Sequence, residues 1–183
     1  MRRSIFALLF LACSSIAIVS LHSQVAPAGI QRVLDVRVGG FGSVFQPDYA
    51  GEGIAQTSPN RLYGAGAFLD ARFTRWIQPE AETRWLRFNE YLGIDENTYS
   101  FGERLPIVEN WHRFTPYGKL LVGVGDGSFL TGSCFVLTYG GGVDIRLSHR
   151  FNLRAFDFEY QQWHVTPTLW PYGGSVGVSY RVF

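Results

Sequence analysis

The chain ends in Tyr172-Gly-Gly-Ser-Val-Gly-Val-Ser-Tyr-Arg-Val-Phe183, a stretch whose residues alternate in polarity. One parity carries Val176, Val178, Tyr180 and Val182, and the other carries small or polar residues. Successive side chains of a β-strand point to opposite faces, so the stretch predicts a strand with one apolar and one polar face. Such a strand suits a wall between lipid and a polar interior.

The last residues of this strand resemble the assembly signal of outer-membrane barrels, in which a terminal strand ends on an aromatic residue that the barrel assembly machinery reads. Tyr180 and Phe183 carry the resemblance. Val182 is a departure, because it stands where an aromatic residue is expected to follow Arg181 directly, and it puts Phe183 out of phase with Tyr180. The resemblance implies that the barrel assembly machinery is a partner.

The chain from Leu34 onward predicts seven further strands with the same two-faced alternation. They are expected at 34–44, 62–73, 77–88, 98–105, 115–124, 135–147 and 151–161. Long connections follow every odd-numbered strand, at 46–60, 89–97, 125–134 and 162–171. Eight strands of about ten residues can each cross a bilayer at a tilt. The pattern predicts an all-β, eight-stranded antiparallel up-and-down transmembrane barrel, with four extracellular loops available to a ligand.

The seventh strand breaks the alternation once. Leu153 and Ala155 begin the apolar face, but Phe156 and Phe158 continue it with the opposite parity. One extra residue in a strand exchanges its two faces. We therefore expect a β-bulge near Ala155 and Phe156.

Ten charged residues fall on the polar faces of the predicted strands. They are Asp70, Arg72, Glu80, Glu82, Arg84, Arg104, Lys119, Asp144, Arg146 and Glu159. An Arg or Lys facing lipid at mid-depth costs about 2–4 kcal/mol, which favours placing all of them inside. The interior of eight strands is just wide enough for side chains to fill. The prediction is a charge-balanced network that plugs the lumen; a narrow ion-conducting pore is the alternative.

Four stretches near the end of the chain resemble a known family. They are Gly140-Gly-Gly-Val-Asp-Ile-Arg-Leu147, the turn 148–150, Phe158-Glu-Tyr-Gln-Gln-Trp163 and Gly177-Val-Ser-Tyr-Arg181. Together they look like the final hairpin and closing strand of small outer-membrane barrels related to the OmpA membrane domain and the opacity proteins. The resemblance implies a barrel in contact with outer-membrane lipid and lipopolysaccharide, with a structural or adhesive role carried by its loops.

The first residues predict export. Two arginines precede an apolar run from Ile5 to Val19, as in a secretory signal peptide. We expect cleavage after Ser23, or alternatively after Ala26, which gives a signal peptide at 1–23, a periplasmic lead-in at 24–33 and a barrel at 34–183. A membrane anchor and a lipoprotein-type cleavage at Cys13 are the alternatives. The only later cysteine is Cys134, so no internal disulfide is expected.

Composition and spacing argue against several functions. The net charge of +1, without a basic run, argues against nucleic acid as a partner. His112, His149 and His164 show no metal-ligand spacing, and no cofactor is expected. Only His164, Thr166 and Glu159 could imitate the catalytic residues of a lipid A-modifying barrel enzyme. We expect no enzyme.

A soluble barrel of the lipocalin kind is the remaining alternative, with its apolar faces turned inward around a ligand. Charges gathered on one face of the second, third and sixth strands favour a membrane barrel, because an apolar calyx could not accept them without partners. Aromatic residues at strand ends predict two interfacial girdles. These residues are Phe73, Trp76, Trp85, Tyr91, Trp111, Phe114, Trp163, Trp170 and Tyr172.

Overall fold

A computed structural model of the chain describes residues 34–48, 61–74, 77–87, 94–108, 113–128 and 130–182. The expected signal peptide and lead-in lie outside these residues, as do Trp76, Tyr91, Trp111, His112 and Phe183. Within the described ranges, no helix is long and apolar enough to cross a membrane.

Eight antiparallel strands form a closed barrel in which each strand pairs with its neighbours in the chain and the first pairs with the last. They are β1 (Asp35–Gln46), β2 (Leu62–Arg72), β3 (Pro79–Arg87), β4 (Glu96–Pro106), β5 (Phe114–Gly127), β6 (Cys134–Arg146), β7 (Phe151–Trp163) and β8 (Tyr172–Arg181). The predicted fold is confirmed. We call the end with the connections after the odd-numbered strands the loop rim, and the opposite end the turn rim.

Several strands extend into segments that were expected to be loops. β1 reaches Gln46, β4 begins at Glu96, and β5 and β7 continue to Gly127 and Trp163. Glu96 pairs with Gly127, for example, so the β4–β5 ladder continues past the apolar part of each strand. Backbone hydrogen bonds do not depend on side-chain polarity. The alternation in the sequence therefore marks the membrane-spanning part of a strand rather than its ends.

The barrel is apolar outside and charged inside. Val38, Leu69 and Val178 are each about half exposed on the outer face, at 47%, 48% and 47% of their full accessible surface. Glu80 and Arg84, on the inner face, are fully buried. A water-soluble barrel hides its apolar face, so this distribution is that of a wall standing in lipid.

The expected β-bulge in β7 is confirmed. The β7–β8 register shifts between Arg154 and Asp157, and the β6–β7 register shifts opposite it, between Val143 and Asp144. Because the extra residue exchanges the faces of β7, both Arg154 and Asp157 point inward.

Two inward-facing glycines leave room for phenylalanine rings in the lumen. A Cβ atom on Gly66 would lie 2.2 Å from Phe41 Cζ, and one on Gly39 would lie 2.3 Å from Phe68 Cζ. Real Cβ atoms do not approach other atoms so closely, so a methyl group at either position must displace an aromatic ring. Because glycine has no side chain, a phenylalanine ring from the neighbouring strand occupies the space at each position.

The outer face is tested by Leu69→Arg and Val178→Arg. Each change should lower the free energy of unfolding by about 2–4 kcal/mol, because it puts a guanidinium group in hydrocarbon. Urea titrations in phospholipid vesicles measure the effect. Gly40→Ala is the matched control, since Gly40 pairs with Val178, is exposed, and a Cβ atom there meets nothing closer than 3.6 Å. Equal tolerance of the arginine changes and the control would contradict the orientation.

Candidate functional site

The inward-facing side chains lie in three layers, and the first lies at the turn rim. Asp35 accepts hydrogen bonds from Arg37, at 2.7 and 3.2 Å, and from Arg181, at 2.7 and 3.0 Å. Arg37 and Arg181 are register partners across the β1–β8 seam, where like charges repel. The Asp35 carboxylate binds both guanidinium groups, so it offsets their repulsion and links the first strand to the last.

The middle layer holds ten buried charged side chains in two adjoining groups. We call the first the Lys119 group and the second the Arg104 group. The Lys119 group comprises Glu82, Arg84, Lys119, Asp157 and Glu159, and the Arg104 group comprises Asp70, Glu80, Arg104, Asp144 and Arg154.

Lys119 is the centre of its group. Its ammonium nitrogen lies 2.6 Å from Asp157 Oδ2 and 2.9 Å from Glu82 Oε2, and it also donates to Glu159 Oε1. Arg84 binds Glu159 through two parallel hydrogen bonds of 2.6 and 2.7 Å, and donates a third of 2.6 Å to Glu82. Bidentate pairs of this kind are the strongest ion pairs that proteins make.

Arg104 connects two acids from different strands in the second group. Its Nη2 donates to Asp144 at 2.6 Å, while its Nη1 lies 3.3 Å from both oxygens of Asp70. Arg154 donates to Glu80 at 2.7 Å. Two of the bonded pairs, Arg84–Glu159 and Arg154–Glu80, join β3 to β7 on the opposite side of the barrel, so the network braces the lumen across its width.

The two groups form one network, because cations of each reach acids of the other. Arg154 Nη1 lies 3.4 Å from Asp157 Oδ2, and Lys119 Nζ lies 3.7 Å from Glu80 Oε1. The guanidinium groups also stack on aromatic rings, an arrangement that stabilises a cation in an apolar setting. The rings are Phe68 under Arg154 at 3.6 Å, Tyr117 under Arg104 at 3.6 Å and Phe45 under Arg84 at 4.4 Å.

The third layer, toward the loop rim, is mainly apolar, although polar residues such as Glu96 and Thr98 are also buried at this end. Its buried apolar side chains are Phe41, Phe45, Leu62, Leu86, Leu121, Val136 and Trp163. The Trp163 indole N–H donates to Gln161 Oε1 at 2.9 Å. The indole ring packs against Gly125, where an added Cβ atom would lie 2.8 Å from the ring. This layer covers the charge network on the side of the loops.

Eight of the ten residues expected in the interior network are buried there: Asp70, Glu80, Glu82, Arg84, Arg104, Lys119, Asp144 and Glu159. Arg72 is half-buried at the turn rim. Arg146 differs from the expectation, because it is exposed. It is the last residue of β6, so its inward parity directs it to the open rim rather than into the lumen.

Sequence reasoning missed Arg154, Asp157 and Trp163. The predicted bulge implies that Arg154 and Asp157 share the inner face, although the predicted network of ten residues contains neither of them. Trp163 was assigned to an interfacial girdle, which is wrong, because it is 1% exposed and lies in the lumen. Its signal was parity with Asp157, Glu159 and Gln161, which continues β7 inward.

The inner face does not assemble a metal site or a catalytic triad from the described residues. Oxygens of Glu82, Asp157 and Glu159 lie within 4.8 Å of one another, but the Lys119 ammonium already occupies the position among them. His164 is exposed and packs edge-on against Phe135, with ring centroids 5.1 Å apart. The Glu159 carboxylate is buried and bound by two cations, so it does not serve His164.

No family model and no curated protein matches the chain. Solved structures do match it. Neisserial surface protein A is 10% identical with a TM-score of 0.62, over 81% of this chain and 96% of that one. The attachment invasion locus protein Ail of Yersinia pestis is 19% identical with a TM-score of 0.52, over 81% and 97%.

The outer membrane protein OprG of Pseudomonas aeruginosa is 13% identical with a TM-score of 0.52, over 82% of this chain and 96% of that one. The chain has the fold of the small outer-membrane barrels. The predicted resemblance is confirmed at the level of the fold. A lipocalin-like calyx is excluded by the same fold together with the charged interior, since a calyx is apolar inside.

Arg154→Ala should lower the free energy of unfolding by about 3–5 kcal/mol, because it leaves buried carboxylates without a partner. Arg146→Ala is the matched control: it makes the same change of charge at an exposed position and should cost about 0–1 kcal/mol. Urea titrations of both variants in vesicles measure the difference. Costs that agree within error would show that the lumen does not exclude water around Arg154.

Proposed function

We propose that the protein is an integral outer-membrane barrel with a plugged lumen, and that it has a structural or adhesive role through its extracellular loops. The observation that carries the proposal is that two inner layers occupy the lumen: a cross-braced charge network and, on its loop side, a layer of mainly apolar side chains. An interior of this kind supports a solid cylinder better than a channel, because a water-filled pore needs polar walls along its whole length.

The loop rim supports a display role, because its connections are tied together. Asp95 and Ser128, in the connections after β3 and β5, exchange hydrogen bonds of 3.2 Å. The backbone N–H of Trp170 donates to Asp48 Oδ2 at 3.2 Å and so joins the connections after β7 and β1. An open cleft of ≈ 420 Å³ lies beside Asp95 and Asp126. The described parts of these connections are thus held at the end of the barrel, and loops positioned by a rigid scaffold often carry binding residues.

The lipid-facing side supports outer-membrane lipid and lipopolysaccharide as the surrounding partners. Exposed aromatic side chains border the apolar wall near the loop rim, where Trp85 Nε1 lies 3.3 Å from Tyr99 Oη. Amphipathic rings favour the boundary between hydrocarbon and headgroups. The barrel assembly machinery remains a proposed partner, which rests on Tyr180 and the terminal residue.

Planar-bilayer recording tests the plug. The unmodified barrel should show no stable conductance, because ions would have to cross the apolar layer around Trp163 and Leu121. Heat-modifiable gel mobility of the same preparation confirms that the inserted protein is folded. A stable, large conductance from folded protein would replace the plugged barrel with the alternative, a narrow porin.

Cells displaying the barrel test the adhesive role. Shortening loops 46–60 and 162–171 beyond the last paired residues of their strands should abolish attachment to a panel of extracellular-matrix proteins and glycan surfaces. The matched control shortens the turn at 147–150 on the opposite rim and should leave attachment intact. Attachment that survives the shortening, with normal display, would contradict an adhesive role for these two loops.

A further inference from the structure

Two arginines stand on the outer wall of the barrel at its loop rim. Arg61 immediately precedes β2 and Arg87 ends β3, and both are exposed. Arg87 is the register partner of Tyr63, which is exposed on the outer face, and Arg61 has the same parity as Tyr63. Within the described part of the loop rim, no other Arg or Lys is present. Positive charge at this rim is therefore concentrated on the outer wall of β2 and β3.

Neither arginine makes an ion pair with an acid among the described residues. The acid closest to Arg87 in register is Asp95, one step beyond the last β3–β4 pair, and it lines the cleft together with Asp126. Asp48 accepts its hydrogen bond from Trp170, on the β1–β8 side. A guanidinium group that binds no carboxylate has its N–H donors available to another anion.

Three aromatic side chains border the arginines on the membrane side. Trp85 lies two residues before Arg87 on the same face, and its Nε1 is 3.3 Å from Tyr99 Oη. Tyr63 faces outward beside them. Rings of this kind lie at the boundary between hydrocarbon and headgroups, so the arginines just beyond them lie at the level of the outer-leaflet headgroups. We call Arg61, Tyr63, Trp85, Arg87 and Tyr99 the Arg61–Arg87 patch.

The outer wall below the patch is smooth. Gly42 pairs with Ala65, Gly40 pairs with Ala67, and Thr83 follows in the second of these rows. Packing within the barrel does not require the two glycines, because an added Cβ atom would meet nothing closer than 3.6 Å at Gly40 and 4.0 Å at Gly42. The smooth wall leaves space for the acyl chains of a lipid whose headgroup is held by the patch.

The chemistry of the ligand follows from the patch. Its headgroup must be anionic at the level of the two arginines, and the planar guanidinium group matches the oxygens of a phosphate. The ligand must also carry apolar chains that extend down the wall. Lipid A of the outer leaflet combines both features, because its diphosphorylated sugar bears several acyl chains. A zwitterionic phospholipid fits less well, since its own amine offsets its single phosphate.

We propose that the Arg61–Arg87 patch binds the phosphorylated headgroup of one lipid A molecule, with an acyl chain lying along the small residues of β1, β2 and β3. The inference rests on the proposed function, because it takes lipopolysaccharide as the lipid that surrounds the barrel. It adds a specific site on one side of the wall. The two arginines donate to phosphate oxygens there, and the rings of Trp85 and Tyr99 border the sugar.

Native mass spectrometry of the folded barrel in detergent micelles, with EDTA present, measures the binding of diphosphoryl lipid A. The unmodified barrel should bind one molecule tightly. The double variant Arg61→Gln, Arg87→Gln should bind it about 25-fold more weakly, from about fivefold for each basic side chain at an anionic lipid surface. Lipid A from which both phosphates have been removed should bind the unmodified barrel with a similar loss.

Two matched controls separate the site from general effects of charge and size. Arg113→Gln with Arg150→Gln removes two exposed arginines from the turn rim and should leave the affinity unchanged. Gly42→Leu places a side chain in the path of the acyl chain and should weaken binding. Gly118→Leu makes the same change on the opposite wall, where an added Cβ atom meets nothing closer than 3.8 Å, and should not weaken it.

Heat-modifiable gel mobility of each preparation shows that the barrel is folded, and it separates this proposal from the proposed function. A folded barrel that does not bind lipid A refutes the site and leaves the plugged barrel standing. An open conductance in planar bilayers refutes the plug, but it does not alter the lipid A titration.

Equal binding of the diphosphoryl and phosphate-free lipids, or equal weakening by the turn-rim control, would overturn the proposal. Equal affinity for phosphatidylglycerol would overturn the choice of lipid A. Binding that requires added calcium would show that Asp95 and Asp126 hold the lipid through a cation instead. A lipid-free dimer that Gly42→Leu dissociates would show that a second copy covers the smooth wall. Should a variant fail to fold, the comparison of lipids on the unmodified barrel decides alone.

Discussion

The cost of exposing charge to hydrocarbon organises this barrel. An Arg or Lys that faces lipid at mid-depth costs about 2–4 kcal/mol, which is a large part of the free energy of unfolding of a small protein. A stable strand therefore does not leave such a residue facing lipid. The charges must turn inward, and the small radius of eight strands brings them into contact. Glu80, Glu82 and Arg84 on one strand thereby meet partners from the far wall.

Burial of so many charges would be destabilising without dense pairing. Each of the four central cations binds at least two carboxylates, and three of them stack on aromatic rings as well. Gly39 and Gly66 make room for the rings of Phe68 and Phe41 in the lumen, because neither glycine has a side chain. The inner face thus mixes long charged residues, rings and glycines because a narrow cylinder admits only a limited volume at each level.

The sequence predicts the two-faced strands well because a bilayer imposes a strict alternation. Parity alone placed residues such as Leu69 outside and Arg104 inside. It failed where alternation is broken or ambiguous: Arg154 and Asp157 lie on either side of a bulge, and Arg146 has inward parity at an open rim. It also did not single out the apolar layer, because Leu121 and Trp163 carry no charge that would mark the inner face, although their parity points inward.

The buried inner side chains bear on where a partner could bind. The outer face contacts lipid, the described inward-facing side chains bind one another, and the Asp35 clamp joins β1 to β8 at the turn rim. The loop rim remains, and there described residues of the connections are hydrogen-bonded in pairs, with a mainly apolar layer between them and the charge network. A change in the loops therefore need not disturb the network, and the network can be tuned for stability without altering the displayed surface. This separation is the physical reason to expect binding in the loops and stability in the lumen.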